Sequence, residues 1–203
     1  VGYDAHMRDE VFDEAEFAQF YQAVAAPIAE TAGPIRILDI GCGTGLEIDP
    51  LLQRAPQARI TGLDLSSEML AHLRRRYANR LDQIDLLRAS YLALPFDRPG
   101  YDHVVWVMTA HHLLRQAKVA LYRAIRAALE PGGAYIEGDS VTTSEHEARF
   151  LAEYRAAMAH VPQASEGAYH IDLPFSLDTQ RALLLEAGFR DFRLIWQRDP
   201  AMM

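Results

Sequence analysis

The chain contains 203 residues, of which half are hydrophobic and 24% are charged, a balance typical of a soluble protein with one full core. Its 28 acidic side chains outnumber 20 Lys and Arg side chains, and the resulting net charge of −8 argues against a nucleic-acid partner. A single cysteine, Cys42, excludes an intrachain disulfide and a cysteine-based zinc site, and it favours a cytoplasmic location. The N-terminus lacks a signal-like layout and no apolar run has membrane length, so no membrane association is expected.

Hydrophobic spacing predicts an N-terminal helix followed by alternating strands and helices. Residues 9–30 carry apolar side chains at helical intervals, and Gly33-Pro34 ends that helix. Short apolar runs then predict strands, and Ser66 is a suitable N-cap for one of the helices between them. The predicted strands are 35–40, 58–63, 84–88, 101–108 and 134–138, and the intervening helices are 46–54, 66–77 and 115–129.

This alternation predicts an α/β fold of three layers, with a mostly parallel, Rossmann-like sheet and helices on both faces. The alternation stops after residue 139. The remaining predicted elements are helices at 144–160 and 177–187, a loop at 161–174 and a last strand at 189–197. We expect a single domain over residues 1–203, with 1–33 as an N-terminal helical cap and 140–175 as a lid-like helical insertion after the fifth strand.

The run ILDIGCGTG, residues 37–45, places three glycines at the carboxyl end of the first predicted strand. Ligands of open parallel sheets collect at this edge, and glycines let the backbone approach them closely. The helix that follows offers unpaired N–H groups to an anionic group. The spacing Gly41-x-Gly43-x-Gly45 differs from the G-x-G-x-x-G pattern of dinucleotide sites.

Two aspartates indicate what kind of ligand this turn binds. Asp39 precedes the glycines, where its carboxylate would repel a pyrophosphate but attract an ammonium or a sulfonium group. Asp64 follows the second predicted strand, where an acid can accept hydrogen bonds from ribose hydroxyls. We therefore expect a ligand that carries a positive group, a carboxylate and a ribose.

The glycine run, together with GLDLSSEML, YDHVVWVMTAHHL and LEPGGAYIEGD, resembles the motifs of the class I S-adenosylmethionine-dependent methyltransferases. The resemblance implies S-adenosylmethionine as methyl donor and S-adenosylhomocysteine as product. It places Asp64 on the ribose, Met69 against the adenine and the backbone around Val107 beside the methionine part. The implied cofactor-binding residues are Asp39, Gly41, Cys42, Gly43, Gly45, Asp64, Leu65, Met69, Ser90, Tyr91 and Val107.

The sequence departs from the family pattern at two places. In LLRASYLALPF, Ser90 and Tyr91 follow the third strand where the family usually has an acid near the adenine amine. The family's sheet has a seventh, antiparallel strand, whereas six strands are predicted here, so that strand is either absent or beyond the given residues. Tyr3, Asp4 and His6 precede the N-terminal helix, which in this family often folds across the cofactor.

Methyl transfer from a sulfonium needs mainly alignment, which can contribute about 7–11 kcal/mol, so no triad or metal cluster is required. A base is needed only when the acceptor must lose a proton, and the candidates are His111, His112 and Tyr169. No metal site is expected, because neighbouring histidines on a helix point about a third of a turn apart. Glu137 and Asp139 are expected to contact substrate or to be structural.

The sequence thus predicts an S-adenosylmethionine-dependent methyltransferase that acts on a small-molecule acceptor, as a monomer or homodimer. Two alternatives remain open. The tail resembles that of carboxy-S-adenosylmethionine synthase, an enzyme of a tRNA-modification pathway, whose carboxylate-binding arginine would have to be Arg149 or Arg155. The other alternative is a cofactor-binding module without catalysis.

Overall fold

A computed structural model of the protein describes residues 2–93, 100–159 and 172–198. Its centre is a five-stranded sheet in which every pair of neighbours is parallel, in the order β3-β2-β1-β4-β5. The first five of the six predicted strands are therefore confirmed, although the fifth begins earlier than expected. They are β1 (Arg36–Ile40), β2 (Arg59–Asp64), β3 (Ile84–Arg88), β4 (Tyr101–Val107) and β5 (Leu129–Gly138).

Helices connect the strands, and side-chain caps mark where several of them begin. Asp13 forms a capping box with Glu16 at the start of the main N-terminal helix, and Ser66, Thr143 and Ser176 cap later helices. No helix in the described part of the chain is long and apolar enough to cross a membrane. The helices are α1 (Gly2–His6), α2 (Glu14–Ala25), α3 (Ile48–Arg54), α4 (Ser67–Arg76), α5 (Arg115–Ala128), α6 (Ser144–Met158) and α7 (Leu177–Glu186).

The central strands are buried on both faces, as their continuous apolar sequences predict. Successive side chains of a strand point to opposite faces. Ile37 and Val105 accordingly pack with residues of α2, α3 and α4, whereas Leu38 and Val104 pack with α5 and α7. This three-layer arrangement leaves the carboxyl ends of the strands as the edge at which their following loops converge.

The last predicted strand is wrong. Residues 189–198 form no strand, and within the described residues no strand pairs with the outer edge of β5. A groove of about 820 Å³ separates this segment from β5 and α2. The segment is therefore too far from the edge of β5 to form the ladder of backbone hydrogen bonds that defines a strand. Aromatic contacts attach the segment instead: Trp196 packs edge-on against Phe20, with 5.7 Å between ring centroids.

The N-terminal region also differs from expectation, because it contains more than one helix. Residues 9–30 were expected to form a single helix, but α2 begins only at Glu14. It is preceded by α1 and by a π-helical turn over Met7–Val11. Phe12, in extended conformation, separates that turn from α2, so α1 can lie across the glycine turn rather than continue the axis of α2.

The glycines of the turn after β1 all have the left-handed backbone, which strongly disfavours other residues. Gly45 has φ +76°, and a Cβ there would lie 2.9 Å from Ile48 Cδ1 and 3.1 Å from Leu73 Cγ. Gly43 has φ +48°, and the nearest heavy atom to its Cβ would be 3.9 Å away. Gly45 thus allows α3 and α4 to pack against the turn, whereas Gly43 faces open space.

Gly45→Ala is therefore expected to destabilise the fold more than Gly43→Ala. Backbone strain alone costs about 1–2 kcal/mol at either position, and overpacking adds roughly 1–3 kcal/mol at Gly45. Urea unfolding of the two variants beside the wild type measures this difference. Equal losses of unfolding free energy would show that the packing of Gly45 has been misjudged.

Candidate functional site

Backbone hydrogen bonds tie the glycine turn to the neighbouring strand. The N–H groups of Gly41 and Cys42 both donate to the carbonyl oxygen of Leu63, over 2.7 and 3.1 Å. A Cβ on Gly41, whose φ is +67°, would come within 3.0 Å of Thr109 Oγ1, in the loop after β4. The turn is therefore enclosed between the ends of β2 and β4, and a glycine is required at its first position.

Asp64 joins the turn to the tip of β2 through its carboxylate. One oxygen, Oδ2, accepts a hydrogen bond from the Gly43 N–H over 3.0 Å, and Oδ1 accepts one from the Ser66 N–H over 2.7 Å. A carboxylate has about four acceptor positions, so each oxygen keeps capacity for another donor. The two sequence motifs that predicted a common site are thus directly connected.

A pair of buried acids, Asp39 and Glu47, lies beneath the turn. Asp39 is fully buried, and within the described residues neither of its carboxylate oxygens forms a hydrogen bond of normal geometry. Burial and the nearby charge of Glu47 raise the pKa of Asp39, and burial also raises the pKa of Glu47. Ionised, the pair creates a strongly negative region that favours a cation.

Glu47 was not identified from the sequence. It stands between Leu46 and Ile48, just before α3, where an acid is common because it complements the helix dipole. Its burial, with only 4% of the residue exposed, distinguishes it from an ordinary helix-terminal acid. An acid flanked on both sides by aliphatic residues was the one available signal.

The first helix covers the glycine turn. The Asp4 carboxylate accepts hydrogen bonds from Thr44 Oγ1 over 2.5 Å and from Arg76 Nη1 over 3.1 Å. The Tyr3 ring is largely buried, and burial together with Glu47, Asp4, Asp139 and Asp64 raises the pKa of its hydroxyl. The cavity that remains between Tyr3 and the turn has a volume of only about 10 Å³.

The predicted cofactor residues do not all share one environment. Gly41, Cys42, Gly43 and Val107 line the small cavity, whereas Gly45 faces the packed interior. The other predicted residues lie on the β2 and β3 side. Leu65 is 64% exposed, Met69 is half-buried on α4, Ser90 accepts a hydrogen bond from the Leu92 N–H over 3.2 Å, and the Tyr91 ring lies 5.7 Å from that of Trp106.

His111 is anchored by Asp139 at the end of β5. The carboxylate bonds the ring at Nδ1 and accepts the His111 backbone N–H over 2.8 Å. Burial opposes a charge on this ring, but the hydrogen bond and charge of Asp139, with the charge of Asp172, outweigh it and raise the pKa of His111. His112 Nδ1 lies 3.2 Å from Asp172 Oδ1.

The two histidines are closer than the sequence suggested, because they belong to a tight 3₁₀ turn, Ala110–His112, rather than an α-helix. Their ring centroids are 4.0 Å apart. Met108, with φ +47°, redirects the chain from β4 into this turn. Tyr169, the third candidate base, lies outside the described residues.

Two other residues near the site, Glu137 and Cys42, have surroundings that indicate a structural role rather than a catalytic one. Glu137 accepts hydrogen bonds from Tyr122, Tyr135 and Gln180, over 2.8, 2.6 and 2.6 Å, and so has a structural role in the core between β5, α5 and α7. Cys42 is buried, and burial and the nearby acids raise the pKa of its thiol. A thiol that stays protonated is a poor nucleophile, so we interpret Cys42 as a small residue that fits the turn rather than as a nucleophile.

Comparison with known proteins shows similarity to methyltransferases. Residues 37–133 match the family model described as "Methyltransferase domain". The demethylmenaquinone methyltransferase of Thermus thermophilus is 36% identical over 111 residues, or 54% of this chain and 49% of that protein. The carboxy-S-adenosyl-L-methionine synthase of Trichodesmium erythraeum is 28% identical over 166 residues, or 76% of this chain and 65% of that protein. The chain thus spans less than two thirds of these relatives.

A solved structure supports the fold. The geranyl diphosphate C-methyltransferase of Streptomyces coelicolor, in complex with S-adenosyl-L-homocysteine, superposes with a TM-score of 0.63 at 17% identity, covering 85% of this chain and 60% of that one. At this identity the likeness concerns the fold alone. Residues 37–133 are thus similar to methyltransferase domains, and the chain has the fold of a methyltransferase solved with S-adenosyl-L-homocysteine.

Proposed function

We propose that the protein transfers a methyl group from S-adenosylmethionine to a small-molecule acceptor. The observation that carries this proposal is the buried acid pair, Asp39 and Glu47, beneath a glycine turn that Asp64 joins to the next strand. A dinucleotide phosphate would be repelled by this pair. A ligand with an ammonium and a sulfonium would be attracted, so the residues present fit the family's cofactor.

The residues of the strand tips divide the binding of the donor between them. The acid pair favours its positive groups, whereas the N–H groups of Gly41, Cys42, Gly43, Gly45 and Ile48 already donate to acceptors within the protein. Asp64 keeps acceptor capacity for the ribose hydroxyls. The expected adenine side comprises Leu65 after β2, Met69 on α4, Ser90 after β3 and Tyr91 at the start of a 3₁₀ turn.

Tyr3 and Asp4 must move for the donor to enter, because the cavity at the turn is about 10 Å³ and drug-sized ligands need roughly 300 Å³ or more. Opening the cap breaks the hydrogen bonds of Asp4 with Thr44 and Arg76 and removes the Tyr3 ring from its packing against the core. In this proposal residues 1–33 act as a cap over the donor, and the insertion 140–175, of which 160–171 lie outside the described residues, acts as a lid.

When bound, S-adenosylmethionine supplies an electrophilic methyl group on a sulfonium. The protein's own residues align this group with the acceptor and exclude water from it. Val107 and Tyr21 provide buried apolar walls at the turn, and α1 closes the space above it. Alignment of this kind accounts for about 7–11 kcal/mol of a typical barrier reduction.

The synthase alternative is less well supported by the arginines of the insertion. Arg149 lies on α6, paired with Glu153 and 57% exposed, and its guanidinium stacks on Phe150. Arg155, on the same helix, is exposed. Neither points into the core at the strand tips, where a carboxylated donor would require a cation, so we favour methyl transfer.

Asp39→Asn is expected to stabilise the ligand-free protein while weakening donor binding. The amide removes a buried charge, which raises the free energy of unfolding by about 1 kcal/mol, and it weakens S-adenosylmethionine binding by about 1.5–3 kcal/mol. Because the folded state raises the pKa of Asp39, the wild type loses stability relative to the variant as pH rises through that pKa. Urea unfolding across a pH series and calorimetric titration measure both effects, with the exposed Asp82→Asn as control. If Asp39→Asn raised or lowered both the unfolding free energy and the S-adenosylmethionine affinity, the role of Asp39 in binding the donor would be contradicted.

Asp64→Ala is expected to weaken S-adenosylmethionine binding by about 1–3 kcal/mol, because ribose hydrogen bonds and the anchor of the Gly43 N–H are lost. Asp85→Ala, an exposed acid on the adjacent strand β3, is the matched control and should bind normally. Calorimetric titration of both variants with S-adenosylmethionine measures the contribution of Asp64 to donor binding. Wild-type affinity in the Asp64 variant would remove Asp64 from the site.

Identification of the nucleoside that co-purifies with the protein tests the proposed function. Denatured protein should release S-adenosylmethionine or S-adenosylhomocysteine, identified by mass spectrometry. Incubation with isotopically labelled donor and fractionated small molecules should then yield a labelled product and S-adenosylhomocysteine. A carboxylated donor would instead favour the synthase, binding without product would favour a non-catalytic module, and a nicotinamide dinucleotide would overturn the proposal.

A further inference from the structure

Three potential metal-binding side chains converge beside the end of β5. His111 and His112 come from the 3₁₀ turn after β4, and Asp172 precedes α7. Asp172 Oδ1 lies 3.2 Å from His112 Nδ1 and 3.8 Å from His111 Nε2, and one ligand atom of each residue lies within 4.8 Å of the others. Residues separated by about sixty positions in the sequence thus meet at one point.

The main chain holds this cluster together. The Leu173 N–H donates to the His111 carbonyl oxygen over 2.7 Å, which joins the segment of Asp172 to the histidine turn. Asp139 binds His111 at both its backbone N–H and its ring Nδ1. A carboxylate on one ring nitrogen directs the lone pair of the other outward, as in the carboxylate–histidine pairs that orient metal ligands.

We propose that His111 Nε2, His112 Nδ1 and the Asp172 carboxylate bind one divalent transition-metal ion. Two imidazoles and one carboxylate suit Zn²⁺, Co²⁺ or Fe²⁺ better than Mg²⁺ or Ca²⁺. Ligand atoms around a tetrahedral ion are separated by about 3.3–3.6 Å, given metal–ligand bonds of roughly 2.0–2.2 Å. The cluster approaches this spacing, and Asp172, whose side chain is 69% exposed, can rotate to complete it.

This site departs from the expectation that adjacent histidines cannot share an ion. That expectation assumed ring directions set by an α-helix. In the 3₁₀ turn the rings contact each other, and the third ligand comes from a segment that no spacing rule connects with them.

An ion with three protein ligands keeps open positions for a ligand oxygen. If the proposed methyl transfer holds, the acceptor class is a molecule with a hydroxyl group, alone or beside a second oxygen that also binds the ion. Its hydroxyl proton leaves to water because the ion lowers its pKa. The oxygen then forms the bond to the methyl carbon, and the electron pair of the broken bond stays on sulphur. Ion binding itself does not depend on this step.

The same distances would arise from an ion pair between Asp172 and a protonated histidine. The experiment must therefore measure the binding of a metal ion directly. Titration of the full chain with Co²⁺, followed by visible absorption and calorimetry, should give one bound ion per chain and ligand-field bands. Zn²⁺ should displace it. His112→Ala and Asp172→Asn should each weaken Co²⁺ binding at least tenfold, with circular dichroism unchanged.

His146→Ala is the matched control, since His146 is exposed on α6 and remote from this cluster in its contacts. Its affinity for Co²⁺ should equal that of the wild type. Binding that is equally weak in all four proteins would show an ion pair only and would overturn the metal site. S-adenosylmethionine affinity, measured in the same samples, separates this failure from a failure of the proposed function, because Asp39 and Asp64 are unchanged in every variant.

Discussion

The site is built around a buried carboxyl group, Asp39, whose oxygens form no hydrogen bond of normal geometry within the described residues. Asp39 cannot turn away, because β1 lies between β2 and β4, with Asp39 in register with Gly62 and Val105. Glu47, fixed at the start of α3, adds a second acid. A buried, unpaired charge costs several kcal/mol, and burial accordingly raises the pKa values of both acids, so a cationic ligand is favoured because it stabilises their ionised forms. Donor affinity and fold stability are therefore opposed at this position.

Sheet topology explains why chemically related side chains meet here although they are distant in sequence. In the order β3-β2-β1-β4-β5 the carboxyl ends of β2, β1, β4 and β5 lie side by side. Asp64, the glycine turn, the histidine turn and Asp139 follow these strands in that spatial order. Strand alternation and the position of each acid after a strand were visible in the sequence. For that reason the sheet and the link between Asp64 and the glycine turn could be predicted from residues alone.

Features that depend on tertiary partners could not be predicted in this way. Residues 189–197 have a strand-like pattern, but a strand needs a neighbouring edge, and the groove beside β5 prevents that pairing. Glu47 resembles an ordinary helix-terminal acid until α1 and β1 bury it. Asp172 has no local signal at all, since its position beside His112 depends on tertiary contacts of its segment, such as the backbone hydrogen bond from Leu173 to His111. In each case the missing information is a contact between elements, which periodicity does not encode.

The first helix connects the two halves of the edge. Three acids near Tyr3 help to raise the pKa of its hydroxyl: Asp64 at the end of β2, Glu47 just before α3 and Asp139 after β5. A cationic donor would neutralise Glu47 and compete for the space of Tyr3, while Asp139 stays bound to His111. Under the proposed function, donor entry would displace α1, while the contact between Asp139 and His111 would keep the histidine turn in place.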